Sequence, residues 1–427
     1  MTLSKSASGS VRLIGLDLLR LLAVVMVLGR HMEAPPEHGP LRGLLDTWNR
    51  SGRLGVDLFF VLSGFLVSGL LFNEYKKYGD LNIRRFYVRR GWKIYPSFYF
   101  LLVVTYVYQL AIAKRVSDRA IFSELFFLQG YRGGFWNHTW TLAVEEHFYL
   151  VLPLILLWLV RRRRGEANPF VVLPWAICIG TLVLLGVRIG NFLMRQSFSY
   201  QTHAFPTHLR IDALFFGVAM AYAYHFHAAW FRATFRPLRY ILIAVGAALI
   251  EIPVIVGSSL FYAHTAGFMQ TYVGAGAMIA GVLMCEIPDN RATRFLARLG
   301  AYSYSIYLWH MALIVWAMPS LQRLGAPWGV RTGIYMIGAF VVGITMAKLV
   351  EVPTLRLRDR LFPSRLDGTV TLRDIHPHAA LAVAGQRWSR PPTLSRPEVP
   401  IELNLGADST VLETTDFAAD ADRSKAA

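Results

Sequence analysis

The sequence predicts an all-α fold: a polytopic transmembrane helical bundle of about ten helices, followed by a disordered C-terminal tail. Three observations predict it. Of 427 residues, 54% are hydrophobic and only 17% are charged, below the roughly 25% charge of soluble domains. The apolar residues fall in blocks near the ~20 residues that cross a hydrocarbon core. The cations collect in the short connections between those blocks.

The candidate spans cover 13–33, 54–73, 94–113, 140–160, 170–188, 206–227, 238–257, 261–284, 301–318 and 329–350. The first block has a signal-peptide look but carries Asp17 and Arg20 and lacks a small-x-small cleavage pattern, so it is expected to be retained. Residues 1–12 form a cytoplasmic N-terminus, 13–355 the membrane domain and 366–427 a cytoplasmic tail. The tail is polar, rich in proline and then acidic, and has no apolar period, hence the expected disorder. It is also too short and polar to hold an esterase-like domain.

The formal net charge of +17 raises nucleic-acid binding, but its distribution argues against it. Loops with seven cations between Lys76 and Lys93, four in Arg161–Arg164, three in Arg232–Arg239 and three in Arg291–Arg298 alternate with poorer ones. This is the pattern that sets membrane orientation, and it places both termini in the cytoplasm of a cell (inner) membrane protein. Two distant cysteines, Cys178 and Cys285, give no disulfide framework, and no spacing suits a metal.

Ionisable groups inside spans are costly, so each needs a reason. Asp17 and Arg20 are i,i+3 neighbours that can pair. Arg20 and His31 are separated by eleven residues, which is about 20° around a helix and about 16 Å along it. They share one stripe, one toward each membrane surface. Asp57 opens the second span beside Gly55, Ser63 and Gly64, small residues that let a neighbouring helix come close. Ahead of the third span, a basic aromatic loop from Arg84 to Pro96 offers Arg90 and Lys93 as phosphate donors, or else serves only topology. Glu145, Phe148 and Tyr149 share one face of the fourth span. Arg210 and Asp212 are about 200° apart and cannot both face one cavity, so one of them ties the bundle together. His310 falls near mid-membrane in the ninth span, where a lone histidine is more often structural. By this topology His31, Asp57, Glu145, Arg210 and Asp212 sit toward the outer surface and the densest cationic loop toward the inner one. Acyl-CoA, with a polyanionic head and a long thin arm, has the shape to bind both regions.

The segments Arg20-x10-His31, GVDLFFVLSGF at 55–65, WTLAVEEHFY at 140–149, THLRIDALFFG at 207–217, YSYSIYLWH at 302–310 and Glu351-x-Pro353 together resemble the acyltransferase 3 family of membrane O-acyltransferases over roughly 13–355. Lys93 stands where that pattern usually has arginine. The resemblance implies transfer of an acetyl or other short acyl group from acyl-CoA, a donor substrate with no permanently bound cofactor, to a hydroxyl of a carbohydrate or glycolipid at the cell envelope. Small molecules such as macrolides are alternative acceptors. In that reading His31 is general base, Asp57 or Glu145 orients it, and Arg20, Arg90 and Lys93 hold the donor. Arg210, Asp212 and His310 contact substrate or hold the bundle. An acyl-histidine intermediate stays open, as does a transporter or flippase of an acyl or glycan substrate.

Overall fold

The computed structural model describes residues 14–112, 117–195, 197–255 and 259–366. The expected cytoplasmic N-terminus 1–12 and, apart from Leu366, the expected disordered tail lie outside the described residues. Among the described residues the regular structure is helical, without strands.

The helices are α1 (Ile14–His31), α2 (Arg42–Ser51), α3 (Gly55–Tyr78), α4 (Ile83–Ala111), α5 (Asp118–Leu125), α6 (Trp140–Arg162), α7 (Leu173–Met194), α8 (Ile211–Phe226), α9 (Ala228–Phe235), α10 (Arg239–Ile255), α11 (Ala266–Met284), α12 (Arg291–Ala301), α13 (Ser303–Ala312) and α14 (Trp328–Met346). A π-helical turn, Leu313–Ala317, carries α13 on into Met318–Arg323, and a second, Ala347–Glu351, carries α14 on into Val352–Leu361.

All ten apolar segments contain a helix, but among the described residues fewer than ten helices are long and apolar enough to cross a membrane. Six meet that standard, and a seventh does if Ala228–Phe235 and Arg239–Ile252, bent by 81°, form one span. The shortfall has local causes. α1 carries Asp17, Arg20 and Arg30 within 18 residues, and α8 has only 16 residues. The basic stretch expected to be a loop is instead the first part of α4. Asn82 Oδ1 accepts the Arg85 N–H at 3.0 Å and caps that helix, supplying a partner for one of the otherwise orphaned donors at a helix start.

The core sits around α3. The apolar window of the segment containing it is 72% buried, whereas that of α7 is 6% buried. α3 is therefore the centre of the bundle and α7, with Trp175, Ile179, Leu182 and Val183 exposed, is a lipid-facing edge. Close approach depends on glycine. A Cβ on Gly64 would strike the Leu214 carbonyl of α8, and one on Gly217 would strike Val61 of α3. Gly55 does the same for α1, where a Cβ would lie 2.6 Å from the Ala23 carbonyl. Helix association in lipid relies on such tight van der Waals packing, since burial from water contributes little there. These contacts bring α1, α3, α6, α8 and α13 together around two cavities.

Candidate active site

The two cavities adjoin. The larger, about 310 Å³, is lined by Arg20, Ser63, Arg90, Lys93, Glu145 and Tyr149 among others. The smaller, about 150 Å³, is lined by Arg30, His31, Arg53, Asp57, His138, Trp140 and Arg210 among others. Val56 and Tyr307 line both. The stripe read from the sequence is thus present: Arg20 and His31 project from one helix into different chambers that share a wall.

In the larger chamber Arg20 pairs with Asp17 at 3.0 Å. Arg90 lies over the Tyr149 ring, 3.8 Å from its centroid, a cation–π contact. The Tyr149 hydroxyl is 2.5 Å from Ser63 Oγ. Ser63 was expected to aid helix packing and instead lines this chamber. Lys93 pairs with Glu351, which also accepts a hydrogen bond from Ser305 Oγ at 2.5 Å. Its charge is therefore largely compensated from within, because a buried carboxylate holds the nearest cation. Arg20 and Arg90 remain as the wall's guanidinium donors.

In the smaller chamber Arg210 Nη2 meets Asp57 Oδ1 at 2.5 Å, and the two side chains are 6% and 2% exposed. Arg210 also lies 3.9 Å from the Phe268 ring centroid. Asp212 turns away and pairs with Arg188 of α7, both buried. The 200° divergence of Arg210 and Asp212 is realised as two separate ion pairs, only one of them at a cavity.

The expected partner of His31 is not a carboxylate. Asp57 is taken by Arg210, and Glu145 lines the other chamber. The neighbour of His31 is His310, with ring centroids 5.2 Å apart, and His310 lies 5.1 Å from His138. His310 Nδ1 is 2.5 Å from the Tyr307 carbonyl, and His138 Nε2 is 3.2 Å from the Leu308 carbonyl. A carbonyl only accepts, so these nitrogens carry the hydrogens and the tautomers of both neutral rings are fixed. His310 Nε2 and His138 Nδ1 are left as buried acceptors without a partner. No group of three or more His, Cys, Asp or Glu side chains among the described residues could hold a metal ion.

Sequence reasoning missed His138, which lies two residues outside the fourth candidate span, although its place just before Trp140 was visible. It also missed Arg188, whose charge inside an apolar helix was the available signal, and Glu124 of α5. Glu124 accepts the Trp136 N–H at 3.1 Å and the Thr139 hydroxyl at 3.0 Å, so it holds the turn that carries His138. Burial pushes its carboxyl up to about 7, against the opposing effect of those hydrogen bonds. Tyr307 completes the wall: its hydroxyl donates to the His138 carbonyl at 2.7 Å and lies 2.6 Å from Thr141 Oγ1.

The family described as an acyltransferase domain, acyltransferase 3, matches residues 13–348. The chain belongs to the acyltransferase 3 family. The described residues therefore form an acyltransferase domain. The motifs of the family resemblance fall on α1, α3, α6 and α13, which line both chambers, on Arg210 before α8, which lines the smaller one, and on Glu351, which pairs with Lys93 of the larger. The domain is similar to the peptidoglycan O-acetyltransferase OatA of Listeria monocytogenes, 26% identical over 79% of this chain and 55% of that protein. It is also similar to the O-acetyltransferase OatA of Staphylococcus aureus, 27% identical over 70% of this chain and 50% of that one. The chain thus spans about half the length of the curated relatives it matches. No solved structure matches it.

Proposed function

We propose that this acyltransferase moves an acetyl or other short acyl group from acyl-CoA, entering the larger chamber, to a hydroxyl held in the smaller one. The observation that carries the reading is the placement of Arg20 and His31, one helix apart by three turns, in two chambers joined at Val56 and Tyr307. A thioester brought to that wall from one side is within reach of a hydroxyl on the other.

In this mechanism His31 takes the proton of the acceptor hydroxyl, the oxygen attacks the thioester carbonyl, and the C–S bond breaks to release CoA, which receives the proton. Imidazole suits the step because its ordinary pKa is near neutrality. His310 Nε2, unpartnered beside the His31 ring, would accept the second N–H of His31 as the imidazolium forms, the task a carboxylate has in hydrolase triads. Arg20 and Arg90 meet the donor. The cation clusters at Arg161–Arg164 and Arg291–Arg298 support, by the positive-inside rule, a larger chamber that faces the cytoplasm. The names of the relatives support a carbohydrate of the cell envelope as acceptor.

The test uses the purified full chain in bilayer discs with acetyl-CoA and a soluble glycoside, reading free CoA thiol and acetylated sugar. Both appear in the wild type and neither in a folded His31→Ala variant. Full activity of that variant ends the reading. Exchange of labelled CoA into acetyl-CoA without acceptor separates a two-step route through acyl-His31 from direct transfer.

A further inference from the structure

The smaller chamber has a charge imbalance that transfer to a neutral hydroxyl does not need. Arg30, Arg53 and Arg210 line it against a single carboxylate, Asp57, which Arg210 holds at 2.5 Å. Arg30 has only the neutral Asn49 amide oxygen, at 3.4 Å. Arg53 makes no ion pair within 4 Å among the described residues, and its charge bears on the same Asp57 that Arg210 holds. Uncompensated guanidinium groups beside a low-dielectric cavity are costly and invite an anion. The chamber also has an aromatic wall. Trp140 stacks on Phe205 at 13° and 4.8 Å, and Tyr200 stacks on Phe205 at 24° and 6.1 Å. Tyr200 is 40% exposed, which puts it at the chamber's mouth. An open volume of about 150 Å³ admits roughly one six-membered ring.

We infer that the acceptor is an anionic sugar: one pyranose ring set against the Trp140–Phe205–Tyr200 wall, with a carboxylate or phosphate directed to Arg53 and Arg30. The inference rests on the acyl-transfer reading for the role of the bound sugar, but the charge preference itself does not. Arg53 is a binding residue here, and the guanidinium plane suits the paired oxygens of either anion.

The experiment gives the full chain in discs four acceptors of one ring type with acetyl-CoA: methyl glucoside, methyl glucuronide, methyl glucoside 6-phosphate and methyl glucosaminide. The expected KM for the two anionic glycosides is at least about tenfold below that of the neutral one, with the cationic one poorest. The better of the two anions identifies the natural group as carboxylate or phosphate. Arg53→Gln raises KM for the anionic acceptors by about tenfold more than for the neutral one, and Arg53→Lys restores most of the difference. Equal KM values for neutral and anionic acceptors overturn the inference, as does an Arg53→Gln effect that is the same for all four.

Calorimetric binding of the same glycosides without acyl-CoA separates the two readings. If the glucuronide or the phosphate binds through Arg53 while no CoA is released with any acceptor, acyl transfer fails and the anion site stands. If CoA is released to the glucoside as readily as to the anions, the anion site fails and acyl transfer stands. No binding of any of the four overturns the inference.

Discussion

Arg210, at the N-terminus of α8, holds Asp57 of α3 at 2.5 Å, and neither side chain is more than 6% exposed. This contact joins the two helices that cross at Gly64 and Gly217, and it occupies the carboxylate that the sequence offered to His31. Removing one partner of a buried pair strands the other charge, at a cost of ~3–5 kcal/mol, whereas removing both is far milder. Asp57→Ala is expected to lower the stability by that order, read as a lower unfolding midpoint. Asp57→Ala with Arg210→Met should recover most of the loss. Thermal unfolding in detergent checks both. If the folded double variant keeps transfer activity, Asp57 serves the bundle and is not needed for the reaction.

His310 acts through His31 in the proposed mechanism, so its replacement should move kcat more than KM. Gln can present an acceptor near the position of Nε2, and Phe cannot. His310→Phe is expected to lower kcat by about a hundredfold, within the range of general-base assistance, while His310→Gln stays within about tenfold of wild type. Steady-state kinetics on both variants, with KM for acetyl-CoA as the internal reference, measures the difference. Equal losses in the two would make His310 a packing residue.

Glu124 gives the fold a pH dependence. Its carboxyl stands near 7 in the folded chain against an ordinary value near 4.5. The folded state therefore holds the proton more tightly. The associated stability is fully present below about pH 4.5 and is lost as the pH rises through about 7. The whole shift corresponds to on the order of 3 kcal/mol. Unfolding midpoints at pH 5 and pH 8 should differ in that direction, and Glu124→Gln should shrink the gap. A gap unchanged by the substitution would assign the pH dependence elsewhere.

Two glycines offer a matched comparison. Gly64→Ala forces a methyl group into the Leu214 carbonyl and is expected to cost ~1–3 kcal/mol, the usual penalty for overpacking. Gly180→Ala on α7 meets nothing within 4 Å and should be neutral or gain up to ~1 kcal/mol from helix propensity. Yield and thermal midpoint of the two variants test whether the α3–α8 crossing is as tight as described.

Much of this was legible in the sequence because it is local. Apolar runs located the helices, and angular arithmetic on α1 was enough to put Arg20 and His31 on one stripe and to separate Arg210 from Asp212. The partners of those groups were not legible. Asp57 finds Arg210 across 153 residues and Lys93 finds Glu351 across 258, and nothing in either motif encodes the other. The same holds for His310 beside His31. The charge of the stretch from Arg84 points to a loop and outweighs the signal of its helical cap at Asn82. His138 stands two residues before an apolar run, outside the segment that hydropathy marks. Among the described residues six helices, or seven with the bent pair, are long and apolar enough to cross a bilayer, and the charges of α1 and the 16-residue length of α8 keep those two blocks off that count.

Among the described residues Val56 and Tyr307 are the sole lining residues common to both chambers, and Tyr307 is pinned by Thr141 and the His138 carbonyl. Residue 56 is then the adjustable part of the divide. Any change in its girth alters what can come in from either direction at once, so donor length and acceptor bulk cannot be retuned separately at that point. Engineering a longer acyl preference through position 56 would carry an altered acceptor range along with it.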